Sequence, residues 1–228
     1  MIELAALDMA GTTIDDYGMV YTALQQAVEE TGAPVASASL QLWMGADKVS
    51  AITALMELGG QEPAPDRVAA AFGRFRTILD DGYRAKPPVA LPGVPEAIAT
   101  LRERGIKVAL TTGFDDGVAR PLLDMLGWSV GPGAECTVDA LVTTSDVAAG
   151  RPAPYMIHRA MERTGVVSVA AVLAAGDTAV DVQAGRNAGA VSVGVLTGKL
   201  TRELLAGLPC DHVLDSVADI PGLAETQR

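Results

Sequence analysis

A doubly wound α/β domain carrying an all-helical insertion is the fold class this sequence predicts, on three observations. Short apolar runs alternate with helical patterns through residues 87–228. That alternation marks a parallel sheet with helices on its faces. A similar apolar run stands alone at residues 2–7. Between them, residues 16–86 carry helical periodicity and no convincing strand. The α/β domain is therefore expected over 1–15 and 87–228, and the helical domain over 16–86.

Taken in order, residues 2–7 read as a buried parallel strand that ends at Asp8 and Gly11. Val20, Leu24, Ala27 and Val28 recur at helical spacing within 18–31. A second helical stretch covers about 37–59 and is interrupted at Gly45; a third covers about 66–84. Lys86-Pro87-Pro88 is a stiff exit, because proline fixes the backbone. A helix at about 93–104 stops at Gly105, and strand 106–110 follows. Helices at about 116–126, 153–164 and 180–188 then alternate with strands at about 140–143, 170–175 and 191–195.

Composition narrows the function classes. Of 228 residues, 49% are hydrophobic and 4% aromatic, so the core must be built from Ala, Val, Leu and Ile. The net charge of -11 argues against nucleic acid or an anionic membrane as partner. Cys136 and Cys210 sit in no metal-ligand spacing and suggest no disulfide framework. The N-terminal segment lacks a basic n-region, and no apolar run approaches the roughly 18–20 residues of a membrane span. A cytoplasmic protein with a small-molecule substrate is the expectation.

Ligands of open α/β sheets bind beyond the carboxyl ends of the strands. Four such ends carry polar clusters here: Asp8-Met9-Ala10-Gly11-Thr12-Thr13, Thr111-Thr112-Gly113, Gly150-Arg151-Pro152, and Gly176-Asp177-Thr178 with Asp181 beyond. Brought together, they supply three carboxylates, one guanidinium, hydroxyls and loop amides. Such a set suits Mg²⁺ and a phosphoryl group, and a carboxylate can attack phosphorus covalently. Each piece has a plainer reading: the first is a turn, Asp177 caps a helix, and Arg151 is a surface charge.

In their order and spacing the four clusters resemble the motifs of the haloacid dehalogenase (HAD) superfamily, and Gly185-Arg186-Asn187-Ala188-Gly189 extends the likeness. The resemblance implies a Rossmann-like core and a helical cap domain. It implies Asp8 as nucleophile, Thr112 on the phosphoryl oxygens, and Arg151 holding nucleophile and phosphate together. Mg²⁺ would be held by Asp8, the carbonyl of Ala10, Asp177 and Asp181, the last directly or through water. Thr12, Gly113 and Gly45 are further expected substrate contacts, and a homodimer is compatible.

Most HAD phosphatases have an aspartate two residues after the nucleophile that protonates the leaving alkoxide; Ala10 stands there instead. Losing a general acid typically costs about 10²–10⁴ in rate. The phosphonatase branch of the superfamily, the phosphonoacetaldehyde hydrolases, also has alanine there and a cap lysine, which Lys48 matches within Met44-Gly45-Ala46-Asp47-Lys48. That resemblance implies cleavage of the C–P bond of a small carbonyl phosphonate through a lysine Schiff base. Two departures stand beside it. Ala51 replaces a histidine three residues after the lysine, and Gly18-Met19 stands where a cysteine follows the first motif. The plainer reading of Lys48 is a solvated helix-surface lysine. Two alternatives stay open: a phosphomonoesterase for a small metabolite, and a phospho-ligand-binding protein without turnover.

Overall fold

The structure, a computed structural model, describes residues 1–227. The chain divides into two compact units, Met1–Asp15 with Val89–Arg228, and Asp16–Pro88.

The first unit begins with β1 (Leu4–Asp8), buried along its whole length, and the short β2 (Ile14–Asp15). The second unit supplies helices α1 (Met19–Glu29), α2 (Ser37–Leu42), α3 (Lys48–Leu58) and α4 (Pro65–Ala85). Back in the first unit come β3 (Val89–Ala90), α5 (Val94–Glu103), β4 (Lys107–Thr111), α6 (Asp116–Leu126) and β5 (Ala140–Val142). Then follow α7 (Tyr155–Thr164), β6 (Val172–Gly176), α8 (Ala179–Ala188), β7 (Val191–Val195), α9 (Arg202–Ala206) and β8 (His212–Leu214).

Six parallel strands form the sheet in the order β5-β4-β1-β6-β7-β8. The order reverses at β1, so the crevice beyond its carboxyl end is where such a sheet binds ligands. Several boundaries differ from the sequence-based expectation by a residue or two, and two of them bear on the site. β1 ends on Asp8 and β4 ends on Thr111, which face each other in register. β2, β3, α9 and β8 were not expected, because segments of two to five residues are too short to show a period. β2 and β3 pair antiparallel, joining the two places where the chain leaves and re-enters this unit.

Small side chains dominate the sheet's packing. Ala109, Ala140, Ala160, Ala174, Ala184 and Ala188 share one buried cluster with Leu4, Val142, Met156 and Val172. α7 lies on β1, β4 and β5, and α8 on β6 and β7. At the other end of the sheet, Asp139 joins three elements. Its carboxylate accepts from Arg102 Nε at 3.1 Å, Lys107 Nζ at 3.1 Å and the Val108 amide at 2.9 Å. Burial alone would raise its pKa, but the Val108 amide and the two cations outweigh it and hold it below the usual range. A depressed carboxylate stabilises the fold above its unfolded pKa, about 4, and that contribution fades as pH falls through the folded value. Asp139→Asn should therefore cost about 1–3 kcal/mol at pH 7. The gap from wild type, read from urea midpoints, should narrow as pH drops below about 4. A gap that stays constant with pH would assign the loss to packing alone.

The second unit is built on α4, whose buried face of Val68, Ala71, Phe75, Leu79 and Tyr83 packs against α1 and α3. Pro65 opens α4, where a missing N–H costs nothing. The helical stretch expected over 37–59 is two helices separated at residues 43–47, with Gly45 at φ 78°. Trp43 and Met44 are half-buried in this break, and α2 buries no side chain. Asp47 caps α3, its carboxylate accepting from the Ser50 amide. The ends of the unit are tied to each other. Asp16 accepts from the Gly18 and Val20 amides at 3.0 and 2.9 Å and from Tyr83 Oη at 3.2 Å. Lys86 Nζ lies 3.2 Å from the centroid of the Tyr17 ring, a cation–π contact. Among the described residues, no helix is long and apolar enough to cross a membrane.

Candidate active site

The loop that carries Met9–Thr13 follows β1 and is folded by its own backbone. The Met9 carbonyl accepts from the amides of Thr12, Thr13 and Ile14, and Thr13 Oγ1 donates to the Asp8 carbonyl at 2.8 Å. Gly11 has φ 90°, a conformation that glycine tolerates, and its amide pairs with the Ile14 carbonyl. Among the described residues no hydrogen bond reaches the Ala10 carbonyl.

The expected carboxylates converge. Asp8, Asp177 and Asp181 are buried and offer oxygens that lie within 4.8 Å of one another. Arg151 lies among them, itself buried. Its Nη1 donates to Asp8 Oδ1 at 2.6 Å and lies 2.9 Å from Asp181 Oδ1, while Nη2 donates to Thr111 Oγ1 at 2.7 Å. The surface-charge reading of Arg151 is thereby excluded. Burial disfavours its charge, yet Asp181 and Asp8 outweigh burial and hold the guanidinium protonated. Asn187 on α8 donates to the Pro152 carbonyl at 2.8 Å and so anchors the turn that presents Arg151.

Asp177 is not the helix cap that its position suggested; Thr178 is. The Thr178 hydroxyl and the Asp181 carboxylate form a capping box at the start of α8. This commits Asp181 Oδ2 to the Thr178 amide and hydroxyl. Asp181 Oδ1 is buried without a hydrogen bond, its charge partner being Arg151 Nη1 at 2.9 Å. Burial above all, then the charge of Asp8, lifts the Asp181 pKa to about 6 against the opposing pull of Arg151. Burial and the charges of Asp8 and Asp181 raise Asp177 well above the usual carboxylate range. Burial and mutual repulsion thus disfavour holding all three carboxylates charged beside a single guanidinium.

These features fit a magnesium ion. Mg²⁺ takes hard oxygen ligands, and the donors here are three buried carboxylates, one with an oxygen that has no hydrogen bond; among the described residues no amide occupies the Ala10 carbonyl either.

The remaining expected residues are distributed as follows. Thr112 is buried; its amide pairs with the Val142 carbonyl and its Oγ1 accepts from the Phe114 amide, leaving the hydroxyl proton to donate. The Gly113 amide has no acceptor among the described residues. The expectation of Thr12 as a substrate contact meets a different geometry: its hydroxyl donates to Asp177 Oδ1 at 2.9 Å and its amide to Met9, so both donors are spent within the protein. In the helical unit, Lys48 is 6% exposed, which rules out a solvated surface lysine, and its Nζ donates to the Ala46 carbonyl at 2.7 Å. Gly45 lies in the same break, half-buried. Ala51 is fully buried in α3; His158 and His212 lie on α7 and β8 of the other unit.

Two participants were given no role by the sequence reading. Thr111, named there only as part of a strand-end cluster, accepts from Arg151. Thr197, after β7, donates to the Gly11 carbonyl at 2.6 Å. Its signal was present, a Thr-Gly pair at another strand end, but it carried no charge.

A family model of haloacid dehalogenase-like hydrolases matches residues 2–189. The chain is similar to a phosphonoacetaldehyde hydrolase of Bacillus thuringiensis (strain Al Hakam), 34% identical over 212 residues, covering 86% of this chain and 76% of the relative. It is similar to one of Parabacteroides distasonis at 30% identity over 260 aligned residues, covering 96% and 94%. A solved structure of a phosphonoacetaldehyde hydrolase-like protein from Oleispira antarctica superposes with a TM-score of 0.78 at 25% identity, covering 97% of this chain and 90% of that one. With a match over most of its length and curated relatives at this identity, the chain belongs to the haloacid dehalogenase-like hydrolases, and within them it is phosphonatase-like.

Proposed function

We propose that the protein hydrolyses the C–P bond of a small carbonyl phosphonate such as phosphonoacetaldehyde, with Asp8 as nucleophile and Lys48 as the amine that activates the carbonyl. The observation that carries this reading is Ala10. The nucleophile loop presents a methyl group where a phosphatase needs a proton donor for an oxygen leaving group. A C–P bond has no such oxygen, so its electrons need another sink. A buried lysine amine provides one, and Lys48 is such a lysine. The names of the curated relatives support the same substrate class.

The steps balance. The Lys48 amine condenses with the substrate aldehyde, releasing water and leaving a protonated imine. An Asp8 oxygen attacks phosphorus, the C–P bond breaks, and its electron pair becomes the enamine double bond as the imine nitrogen is neutralised. The enamine takes a proton at carbon and is hydrolysed, returning the amine and releasing acetaldehyde. A second water hydrolyses the aspartyl-phosphate to inorganic phosphate and free Asp8. Mg²⁺ held by Asp8, Asp177, Asp181 and the Ala10 carbonyl would neutralise the phosphoryl charge during transfer. Arg151 holds Asp8 through Nη1 and keeps one carboxylate oxygen oriented. Thr112, through its hydroxyl, and Gly113, through its amide, are donors that would serve the phosphoryl oxygens.

The test is parallel measurement of phosphate and acetaldehyde from phosphonoacetaldehyde with Mg²⁺. Equal release of both is expected, with phosphate esters turned over slowly. Ala10→Asp should raise ester hydrolysis by about 10²-fold or more and leave phosphonate turnover unimproved. Efficient ester hydrolysis by the unaltered protein, with no acetaldehyde from the phosphonate, would replace this reading with a phosphomonoesterase.

A further inference from the structure

Asp177 is enclosed from two sides by glycine backbone. A Cβ built on Gly11 would stand 2.8 Å from Asp177 Oδ2, and one built on Gly198 would stand 1.9 Å from the same atom and 2.6 Å from Cγ. Gly198 comes from the turn after β7, and that turn is pinned at two points. The Leu196 amide donates to the Leu214 carbonyl of β8, and Thr197 Oγ1 donates to the Gly11 carbonyl at 2.6 Å. Thr12 completes the enclosure by donating to Asp177 Oδ1 at 2.9 Å. The Asp177 carboxylate therefore has little room to rotate, with one oxygen held and the other against the Gly198 backbone.

We propose that the Thr197-Gly198 turn is a positioning element for the divalent cation: it locks the Asp177 carboxylate in ligating orientation and ties the sheet's next strand to the nucleophile loop. The inference rests on the cation site of the proposed function, but not on the identity of the substrate. Its physical basis is steric. A carboxylate free to rotate must lose that freedom on binding metal, whereas one already held by a hydroxyl and two backbones does not. Thr197 acts one step back. It donates to the Gly11 carbonyl, in the loop that also contains the Ala10 carbonyl, so two of the candidate ligands, Asp177 and that carbonyl, would depend on its hydrogen bond.

Gly198 is not in the left-handed region of backbone space, and the three atoms nearest a Cβ built there all belong to Asp177. The measurement is Mg²⁺ binding to the full-length, metal-free protein by titration calorimetry, with the electron paramagnetic resonance spectrum of bound Mn²⁺ alongside. Gly198→Ala should weaken Mg²⁺ about 10–100-fold, the range typical for residues that orient metal ligands, and alter the Mn²⁺ spectrum. Thr197→Val should weaken it about 10-fold, and Thr197→Ser, which keeps the hydroxyl, should restore it. Should Gly198→Ala fail to fold, the threonine pair carries the test. Asp177→Asn is the reference. If it loses Mg²⁺ while Gly198→Ala and Thr197→Val bind as wild type, the positioning role is overturned and the cation site stands. If Asp177→Asn itself binds Mg²⁺ normally, the cation site falls and this role falls with it.

Discussion

Asp8→Asn should lose phosphate release from phosphonoacetaldehyde by at least about 10⁴-fold, the scale seen when a covalent nucleophile is removed. The substitution keeps the side chain's shape at the end of β1 and removes the carboxylate oxygen proposed to attack phosphorus. Arg151 keeps Thr111 and Asp181 as neighbours, so the fold should survive. Thermal denaturation checks that point, and a pre-steady-state assay for the acyl-phosphate checks the chemistry: wild type should accumulate phosphorylated protein at low pH quench and the variant should not. Activity within tenfold of wild type would remove Asp8 from the nucleophile's role.

The second large effect is expected at Lys48. Lys48→Arg retains a cation and lacks an amine able to form an imine, so turnover should fall by about 10³-fold or more, equivalent to roughly 4 kcal/mol of barrier. Borohydride separates the two half-reactions. With phosphonoacetaldehyde, wild type should gain a reduced adduct on Lys48, and part of that adduct should have lost the phosphoryl group. Asp8→Asn should still be trapped, but only with the phosphonate retained. Lys48→Arg should not be trapped. Trapping that persists in Lys48→Arg would move the imine to another amine. Ala51 sharpens the case: the branch this chain resembles has a histidine there, and here a buried methyl group stands in α3. Any proton transfer to the enamine carbon must therefore use a group other than a residue-51 side chain.

Much of the site could be read from the chain because charged residues at strand ends are expensive to bury. Asp8, Arg151, Asp177 and Asp181 announced themselves by type, order and position after apolar runs. The helical insertion was equally visible, since α1 and α4 each present an apolar face at helical spacing. Other features were hidden because they depend on register or on pairing. Thr111 and Thr112 are the same residue type in adjacent places; only the alignment of β4 with β1 puts Thr111 opposite Asp8 and its hydroxyl on Arg151. Thr12 reads as one more hydroxyl in a phosphate loop until its partner is seen to be Asp177.

What the sequence by itself determined is the alternation of strand and helix, the helical insertion, and a set of carboxylates and one guanidinium at strand ends. It could do so because periodicity and polarity are local properties. Only the tertiary structure decided that Asp181 divides its oxygens between a capping box and an orphaned position. It also decided that Lys48 is buried and that a glycine after β7 closes on Asp177. Each of these depends on what lies within a few ångströms across the sheet or along a neighbouring helix. Residues 11, 177 and 198 become neighbours only when β1, β6 and β7 lie side by side.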